Sequence, residues 1–332
     1  MKYAIYAFIV SAVVTIALGP VIIPMLRRLK FGQNERSDGP QSHLSKAGTP
    51  TMGGILFIVS SILAAAVGYV LYRVTGAEDA ATVLNGSDKM ALQVVACMVF
   101  SLLFGVIGFV DDFIKVAKKH NEGLTPKQKL ALQIVIAIAW LAVMYALGDK
   151  STVIDLAFVQ FDAHFVYYPL MVLVILYMTN AVNLTDGVDG LCGTVTLVVM
   201  LLMTLICNML QMYPYSLFTM AVAGRFQTKK PRHPAKCFMG DTGSLALGGF
   251  VAATAYMLQM PLFILIVGLI YLVEVLSVII QVSFFKITHG KRIFKMAPIH
   301  HHFELSGWSE TRVVAVFSII TALLCLVGYA AL

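Results

Sequence analysis

The sequence predicts an all-α, polytopic integral membrane protein with about ten transmembrane helices. Hydrophobic residues make up 59% of the 332 residues and charged residues only 12%, whereas about 25% of the residues in soluble domains are charged. The mean hydropathy of the whole chain is +0.85. Apolar runs close to the roughly 20 residues that a membrane-spanning helix needs recur from end to end. This composition excludes a disordered chain, a nucleic-acid-binding protein and an ordinary cytosolic protein.

The apolar runs divide the chain into ten predicted spans without an intervening soluble domain or low-complexity linker. We therefore expect residues 1–332 to form a single transmembrane domain. The first run is longer than the core of a signal peptide and has no clear small-residue cleavage site, so it is predicted to remain as a helix. The seventh run is only about half as long as a normal span. In order, the predicted spans are 4–26, 51–72, 90–110, 130–147, 165–182, 191–210, 215–224, 244–260, 262–284 and 311–332.

The distribution of basic residues predicts the orientation of these spans. If the loops are numbered in order, the odd-numbered loops contain 20 of the 24 lysines and arginines. Cytoplasmic loops of membrane proteins carry such an excess, which assigns the odd-numbered loops to the cytoplasm. Omitting the short seventh span would reverse every later loop and destroy the asymmetry. The net charge of +7 therefore does not require a nucleic-acid partner. The remaining basic residues are Lys2, Arg73, Lys89 and Lys150.

The polar sequence motifs lie in the same odd-numbered loops. They are SHLSKAGTPTMGG in loop one, VDDFIKVAKK in loop three, NLTDGVDG in loop five, FMGDTGS in loop seven and MAPIHHHFE in loop nine. Generic membrane proteins distribute polar residues on both faces, so this one-sided pattern predicts a functional site on the cytoplasmic face. The five cysteines show no metal-binding spacing and are predicted to be small buried hydrophobic residues.

Two of these loops contain paired carboxylates. Asp111 and Asp112 stand at the predicted end of the third helix, where the helix dipole disfavours negative charge. Lys115, four residues after Asp111, would offset part of this cost, and Mg²⁺ would offset more because it binds one or two carboxylates together with substrate phosphates. Asp186 and Asp189 belong to two Asp-Gly turn units, although a turn needs only one. The alternatives are a solvated helix end and a simple connecting turn.

Two glycine-rich segments precede predicted helices. Residues 240–244 and 49–54 would offer free backbone N–H groups and the positive end of a helix dipole, which suits a phosphate. Asp241 could instead be an ordinary N-cap residue.

Three consecutive histidines, His300, His301 and His302, cannot all point the same way, so they are not expected to form a metal site alone. They could serve as hydrogen-bond donors to phosphates or as a proton carrier, or they could lie in a plain surface loop. Glu274 is the only acid predicted to lie mid-span, which makes it a functional hypothesis by default. Taken together, the motifs indicate a metal-assisted reaction on a phosphorylated cytoplasmic molecule beside the lipid phase.

The motifs TPTMGG, VDDFIK, NLTDGVDGL, FMGDTGSLALGG and APIHHHFE, in this order, resemble those of the phospho-N-acetylmuramoyl-pentapeptide transferase family of bacterial cell-wall synthesis. The resemblance extends from about Ser42 to the last helix. It implies a homodimer in the bacterial inner membrane with ten spans, cytoplasmic active-site loops and a requirement for Mg²⁺. It also implies transfer of phospho-MurNAc-pentapeptide from UDP-MurNAc-pentapeptide to undecaprenyl phosphate, which gives lipid I and UMP.

The resemblance also implies roles for individual residues, carried over position by position. It implies Mg²⁺ ligation by Asp241, the favoured ligand, and by Asp112, stacking of Phe238 on uracil, and a basic rim for phosphates. One segment departs from the family: within residues 225–233, Pro231 stands where a substrate-binding Asn is expected. The implied catalytic residues are Asp111, Asp112, Asp241 and His300, and the implied substrate-binding residues are Lys46, Thr51, Lys115, Lys119, Lys127, Asn183, Asp186, Gly187, Asp189, Phe238, Gln281, His301 and His302.

Three alternatives remain at this point. The second pKa of a phosphate monoester lies near 6, so the lipid phosphate does not strictly need a general base; Asp111 or Asp112 could remove a residual proton or act as a nucleophile in a two-step route. A related transferase that moves N-acetylglucosamine-1-phosphate would share the acidic loops, and APIHHHFE argues against it. A secondary transporter would need charged residues throughout the spans and internal repeats, which the sequence lacks.

Overall fold

The computed structural model describes residues 2–28, 49–75, 80–118, 123–223 and 237–332, and these residues are largely helical. A two-stranded antiparallel hairpin, which the sequence did not predict, and one short 3₁₀ turn join α4 to α5. In chain order the elements are α1 Lys2–Arg28, α2 Gly54–Thr75, α3 Ala80–Lys118, α4 Pro126–Ala146, β1 Val153–Asp155, β2 Gln160–Asp162, the 3₁₀ turn His164–Val166, α5 Tyr167–Thr185, α6 Leu191–Met209, α7 Tyr213–Ala223, α8 Gly240–Met257, α9 Phe263–Val267, α10 Leu269–Ile287, α11 Ile299–Glu304 and α12 Glu310–Ala330.

The predicted all-α, polytopic class is confirmed. In the described part of the chain, eight helical segments are long and apolar enough to cross a membrane, and they correspond to α1–α6, α10 and α12. The predicted seventh span corresponds to α7, of which 11 residues are described. The predicted eighth span corresponds to α8.

Helix α8 is not in that set, which is defined by length and apolar composition alone. It lies inside the bundle. It is buried from Thr242 to Met257 and packs against α2, α3, α5, α6 and α7. A helix that is surrounded by other helices needs small residues for close approach more than it needs large lipid-facing side chains. The sequence of α8 is accordingly rich in glycine and alanine. The central helix of the fold therefore lacks the apolar signal that marks the eight candidate spans in the described part of the chain.

The helix directions bring five helix ends to one end of the bundle. Successive spans run in opposite directions, so the start of α2, the end of α3, the start of α4, the end of α5 and the start of α8 share that end. The motifs of loops one, three, five and seven border these helix ends. The β-hairpin, which pairs Ile154 with Phe161, lies between the end of α4 and the start of α5 and therefore at the opposite end.

We predict that Gly248→Ala in α8 lowers the free energy of unfolding by about 1–3 kcal/mol through overpacking. An added Cβ would lie 2.5 Å from the Thr179 Cα of α5, and backbone cannot yield as a side-chain end can. Thermal unfolding in detergent would measure the effect. The matched control is Gly19→Ala in α1, where an added Cβ meets nothing within 4 Å and alanine favours the helix. Equal melting temperatures for the two variants would contradict the prediction.

Candidate functional site

Three carboxylates from two helices form an acidic cluster, which consists of Asp111, Asp112 and Asp241. Asp111 and Asp112 lie in the last two turns of α3, and Asp241 lies in the first turn of α8. One ligand atom from each residue lies within 4.8 Å of those of the other two. Asp111 and Asp112 are buried, whereas 20% of the Asp241 side chain is exposed. The acids of the VDDFIKVAKK motif in loop three and of the FMGDTGS motif in loop seven therefore meet.

Asp112 binds the N-terminus of α8. Its Oδ2 accepts a hydrogen bond from the Thr242 backbone N–H at 3.0 Å and another from the Thr242 hydroxyl at 2.9 Å. Gly240, two residues before Thr242, has a left-handed backbone with φ of +70°. A Cβ on Gly240 would lie 2.6 Å from both Asp112 Oδ2 and Thr51 Oγ1. Thr51, a predicted site residue, is thus buried beside the acidic cluster.

The expectation that both glycine-rich segments offer free amides to a phosphate is wrong for the amides of Gly53, Gly54 and Thr242. The N–H of Gly53 donates to the Phe238 carbonyl at 2.8 Å, and the N–H of Gly54 donates to the Met239 carbonyl at 2.9 Å. The N–H of Phe238 donates in turn to the Pro50 carbonyl at 2.8 Å. The two segments thus bind each other, while the α8 amide of Thr242 already binds a carboxylate. This pairing fixes the backbone of Phe238, the residue predicted to stack on uracil.

Two lysines neutralise much of the acidic cluster. Lys115 Nζ lies 2.6 Å from Asp111 Oδ2 and 3.0 Å from Asp241 Oδ2, so its predicted pairing with Asp111 is confirmed. Lys129 Nζ also lies 3.0 Å from Asp241 Oδ2. Sequence reasoning did not include Lys129 among the site residues. A signal was present, because a lysine in the first turn of a helix faces the positive end of the helix dipole and needs an acidic partner nearby.

The surroundings of Asp241 favour its ionised form. Burial by itself raises the pKa of Asp241, but the hydrogen bond shared with Asp111 and the charges of Lys129 and Lys115 lower it more, and the net pKa lies below the usual range of aspartate. The Asn183 amide also contributes, donating to Asp241 Oδ1 at 2.8 Å and to the Ser244 hydroxyl at 2.8 Å. Asp241 is therefore an anion at neutral pH.

A second group of ionisable residues surrounds His300. The Nδ1 atom of His300 lies 3.0 Å from Oε2 of Glu274, and neither side chain has any exposed surface. The other ring nitrogen, Nε2, has no hydrogen-bond partner among the described residues. This nitrogen lies against Gly187, where an added Cβ would be closer than van der Waals contact permits. The sequence had identified Glu274 as a lone mid-span acid, and the structure gives it a partner.

The three consecutive histidines have three different partners, which agrees with the expectation that they cannot all point the same way. His301 Nδ1 lies 2.7 Å from Oε2 of Glu304. His302 Nδ1 accepts a hydrogen bond from the Lys295 backbone N–H at 3.1 Å. The histidines therefore do not converge on one point.

The turn after α5 links the acidic cluster to His300. At one end of this segment Asn183 contacts Asp241, and four residues later Gly187 contacts His300. Asp186 stands at the C-cap of α5, and Asp189 lies in the same turn, before α6. Asp186 and Asp189, both predicted to bind substrate, thus belong to a segment that contacts Asp241 through Asn183 and His300 through Gly187.

The remaining predicted residues fall into three groups. Gln281 Oε1 accepts hydrogen bonds from the Ile293 and Phe294 N–H groups at 3.1 and 2.9 Å, so it holds the loop that leads to the histidines. Lys127 is exposed in the first turn of α4. Outside the described residues lie Lys46, Lys119 and the atypical segment 225–233 with Pro231.

The donor set of the acidic cluster suits a hard divalent cation. Mg²⁺ prefers carboxylate oxygens and usually retains waters or binds substrate phosphates in its other positions. Asp111, Asp112 and Asp241 provide oxygens close enough together for such an ion, and the exposed part of Asp241 leaves an approach from outside. The lysines beside them could neutralise phosphate oxygens.

Comparison with known proteins identifies the family. Residues 94–259 match the glycosyl transferase family 4, and residues 46–58 match a phospho-N-acetylmuramoyl-pentapeptide-transferase signature. Proteins named phospho-N-acetylmuramoyl-pentapeptide-transferase are similar over nearly the whole chain. The one from Clostridium perfringens strain 13 is 44% identical over 99% of this chain and 98% of its own, and that from Acetivibrio thermocellus is 46% identical over 99% and 95%. Since such identity covers both chains almost completely, this chain belongs to the phospho-N-acetylmuramoyl-pentapeptide-transferase family.

Proposed function

We propose that this chain transfers phospho-MurNAc-pentapeptide from UDP-MurNAc-pentapeptide to undecaprenyl phosphate, giving lipid I and UMP in peptidoglycan synthesis. The observation that carries the proposal is the acidic cluster of Asp111, Asp112 and Asp241 with its two lysines. This cluster lies at the end of the bundle that gathers the family motifs. Membership of the family supports the choice of substrates, and the acidic cluster is the site at which we propose that the diphosphate reacts.

The proposal includes the setting of the enzyme. Residues 1–332 would form one transferase domain in the bacterial inner membrane, with the site facing the cytoplasm, and two chains would form a homodimer. The excess of lysine and arginine in the odd-numbered loops supports the orientation. A site at a membrane surface can receive a soluble nucleotide from the water and a lipid phosphate from the bilayer.

The main obstacle to the reaction is electrostatic. The acceptor phosphate is largely dianionic at neutral pH because its second pKa is near 6, and it must approach a diphosphate that is also negative. Lys115 and Lys129 place two positive charges beside Asp241. We infer that these ammonium groups turn from Asp241 to the phosphate oxygens as the donor binds. Their role is to reduce the repulsion between donor and acceptor.

We propose that Asp241 and Asp112 hold Mg²⁺, with Asp111 beside them. When bound, the ion would supply further neutralisation of the phosphate oxygens. The residues of the chain orient the site around it: Thr242 holds Asp112 at two hydrogen bonds, and Asn183 holds Asp241.

The other residue roles stay proposals on the same basis. His300 is proposed as a catalytic group, and Asn183, Asp186, Asp189 and Phe238 are proposed to bind the uridine and its diphosphate. The fixed backbone of Phe238 and the fixed turn after α5 support this assignment. Further proposed substrate-binding residues are Lys46, Thr51, Lys115, Lys119, Lys127, Gly187, Gln281, His301 and His302.

The decisive experiment measures UMP release by the purified protein in detergent. We expect release from UDP-MurNAc-pentapeptide only when both undecaprenyl phosphate and Mg²⁺ are present. The control offers UDP-N-acetylglucosamine in the same assay, because a neighbouring transferase would use it. UMP release from that control substrate instead, or release that does not depend on the lipid phosphate, would reject the proposal.

We predict that Asp241→Asn weakens the binding of a divalent metal at least tenfold, since it removes an anionic oxygen ligand. Titration of the substrate-free protein with Mn²⁺, followed by electron paramagnetic resonance, measures this without any turnover. Asp162→Asn is the matched control, because Asp162 is in β2 at the other end of the bundle. Unchanged Mn²⁺ affinity in Asp241→Asn would remove Asp241 from the metal site.

We predict that Gly240→Ala lowers kcat by about 100-fold or more, the size of loss that a misplaced reacting group causes. The added Cβ would displace Asp112 and Thr51, which lie 2.6 Å from its position. Turnover should fall while the protein still folds, which a melting curve would check. Gly19→Ala again serves as the control. Wild-type turnover in Gly240→Ala would show that Asp112 does not need its present position.

A further inference from the structure

We propose that Glu274 is a positioning residue: it holds His300 in place, and the ring of His300 in turn supports the turn at residues 186–190. Through this turn, Glu274 would set the affinity for the UDP-linked donor. The inference rests on the proposed function, because it takes the donor to bind at this turn. It assigns a role to an acid inside a membrane-spanning helix that the chemistry described above does not use.

The Glu274–His300 pair is completely buried. Glu274 belongs to α10 and His300 to α11, and their facing atoms lie 3.0 Å apart with no exposure of either side chain. Helix α10 packs directly against α5, the helix that leads into the turn. A buried polar group that loses its partner is costly. The pair therefore ties α11 to α10 beside the end of α5.

The contact with Glu274 also sets the orientation of the His300 ring. Oε2 of Glu274 lies 3.0 Å from Nδ1 of His300, and this contact holds the Nδ1 edge of the ring against α10. The opposite nitrogen, Nε2, then faces the turn. It has no hydrogen-bond partner among the described residues. Glu274 thus determines which edge of the ring meets the turn.

The ring of His300 lies directly against Gly187 in the turn. A Cβ on Gly187 would overlap Nε2 and Cε1 of the ring. The backbone of Gly187 is not in the left-handed region, so glycine is needed at this position for space. The ring of His300 therefore forms the surface on which the turn rests.

The consequence concerns binding more than chemistry. The acidic cluster is held mainly by Thr242, Lys115 and Lys129. Asn183, which also binds Asp241, belongs to α5 and precedes the turn. Loss of the support at Gly187 would shift the turn that carries Asp186 and Asp189 while leaving that cluster assembled. The expected result is weaker binding of the donor with a smaller change in turnover.

The kinetic test compares Glu274→Leu, Gly187→Ala and the double variant. We expect each single variant to raise KM for UDP-MurNAc-pentapeptide about tenfold. Because His300 is itself proposed as a catalytic group, kcat should also fall, but by a smaller factor than KM rises. The double variant should be no worse than the poorer single, as coupled residues behave. Glu274→Gln keeps an oxygen acceptor for Nδ1 and should restore KM to within about twofold of wild type. Leu276→Ala, on the lipid-facing side of the same helix, is the control.

A second measurement does not depend on activity. Hydrogen exchange of the substrate-free protein, read by mass spectrometry on peptides covering residues 183–191, should be faster in Glu274→Leu and Gly187→Ala than in Glu274→Gln and Leu276→Ala. If exchange and KM in Glu274→Leu equal those of wild type, the proposed role of Glu274 is wrong. An equal loss in Glu274→Gln would also overturn it, since the hydrogen bond that Gln retains would then not be enough to position His300.

The two proposals fail in different ways. If the wild-type protein releases no UMP while Glu274→Leu still speeds exchange in the turn, the proposed function is wrong and the support of the turn stands. Suppose instead that the wild type is active, that Glu274→Leu and Gly187→Ala lower only kcat, and that their effects add in the double variant. The proposed function then stands and the positioning role is overturned.

Discussion

The site depends on one interaction, the binding of the Asp112 carboxylate at the N-terminus of α8. A helix start carries free N–H groups and a partial positive charge. Asp112 accepts a hydrogen bond from one of these groups, the Thr242 N–H, and a second from the Thr242 hydroxyl. This contact joins α3 to the central helix and thereby brings Asp111 and Asp241 together. Gly240 permits it, because its left-handed backbone and missing side chain leave room for the carboxylate. The acidic cluster is therefore a product of helix packing.

The charges of the cluster are nearly balanced. Three carboxylates and two ammonium groups leave one negative charge in excess when all the acids are ionised. Such an excess at close range attracts a cation strongly where water is partly excluded. With a divalent cation present, the sign of the site would reverse and favour a diphosphate. The same residues can thus be stable without a ligand and attractive to a phosphorylated one.

The sequence predicted the membrane class, the grouping of the polar loops and the Lys115–Asp111 pair, because each follows from composition or from spacing along one helix. It did not predict the pairing of Lys129 with Asp241 or of Glu274 with His300, because these partners lie far apart in the chain. It was wrong about the amides of Gly53, Gly54 and Thr242 for the same reason: their partners come from other segments. The central helix α8 had a weak apolar signal because it contacts protein instead of lipid.

Polar contacts deeper in the bundle explain how helices from distant parts of the chain reach the right register. Gln133 of α4 and Asn180 of α5 pair through their side-chain amides at 2.8 Å. Gln133 lies one turn from Lys129, and Asn180 lies one turn from Asn183, so this pair directs both residues towards Asp241. In lipid, where apolar side chains have little preference for one another, such hydrogen bonds distinguish one register from the next. The Gln133–Asn180 pair aligns α4 with α5, as Glu274–His300 aligns α10 with α11, and the site forms where the two alignments meet.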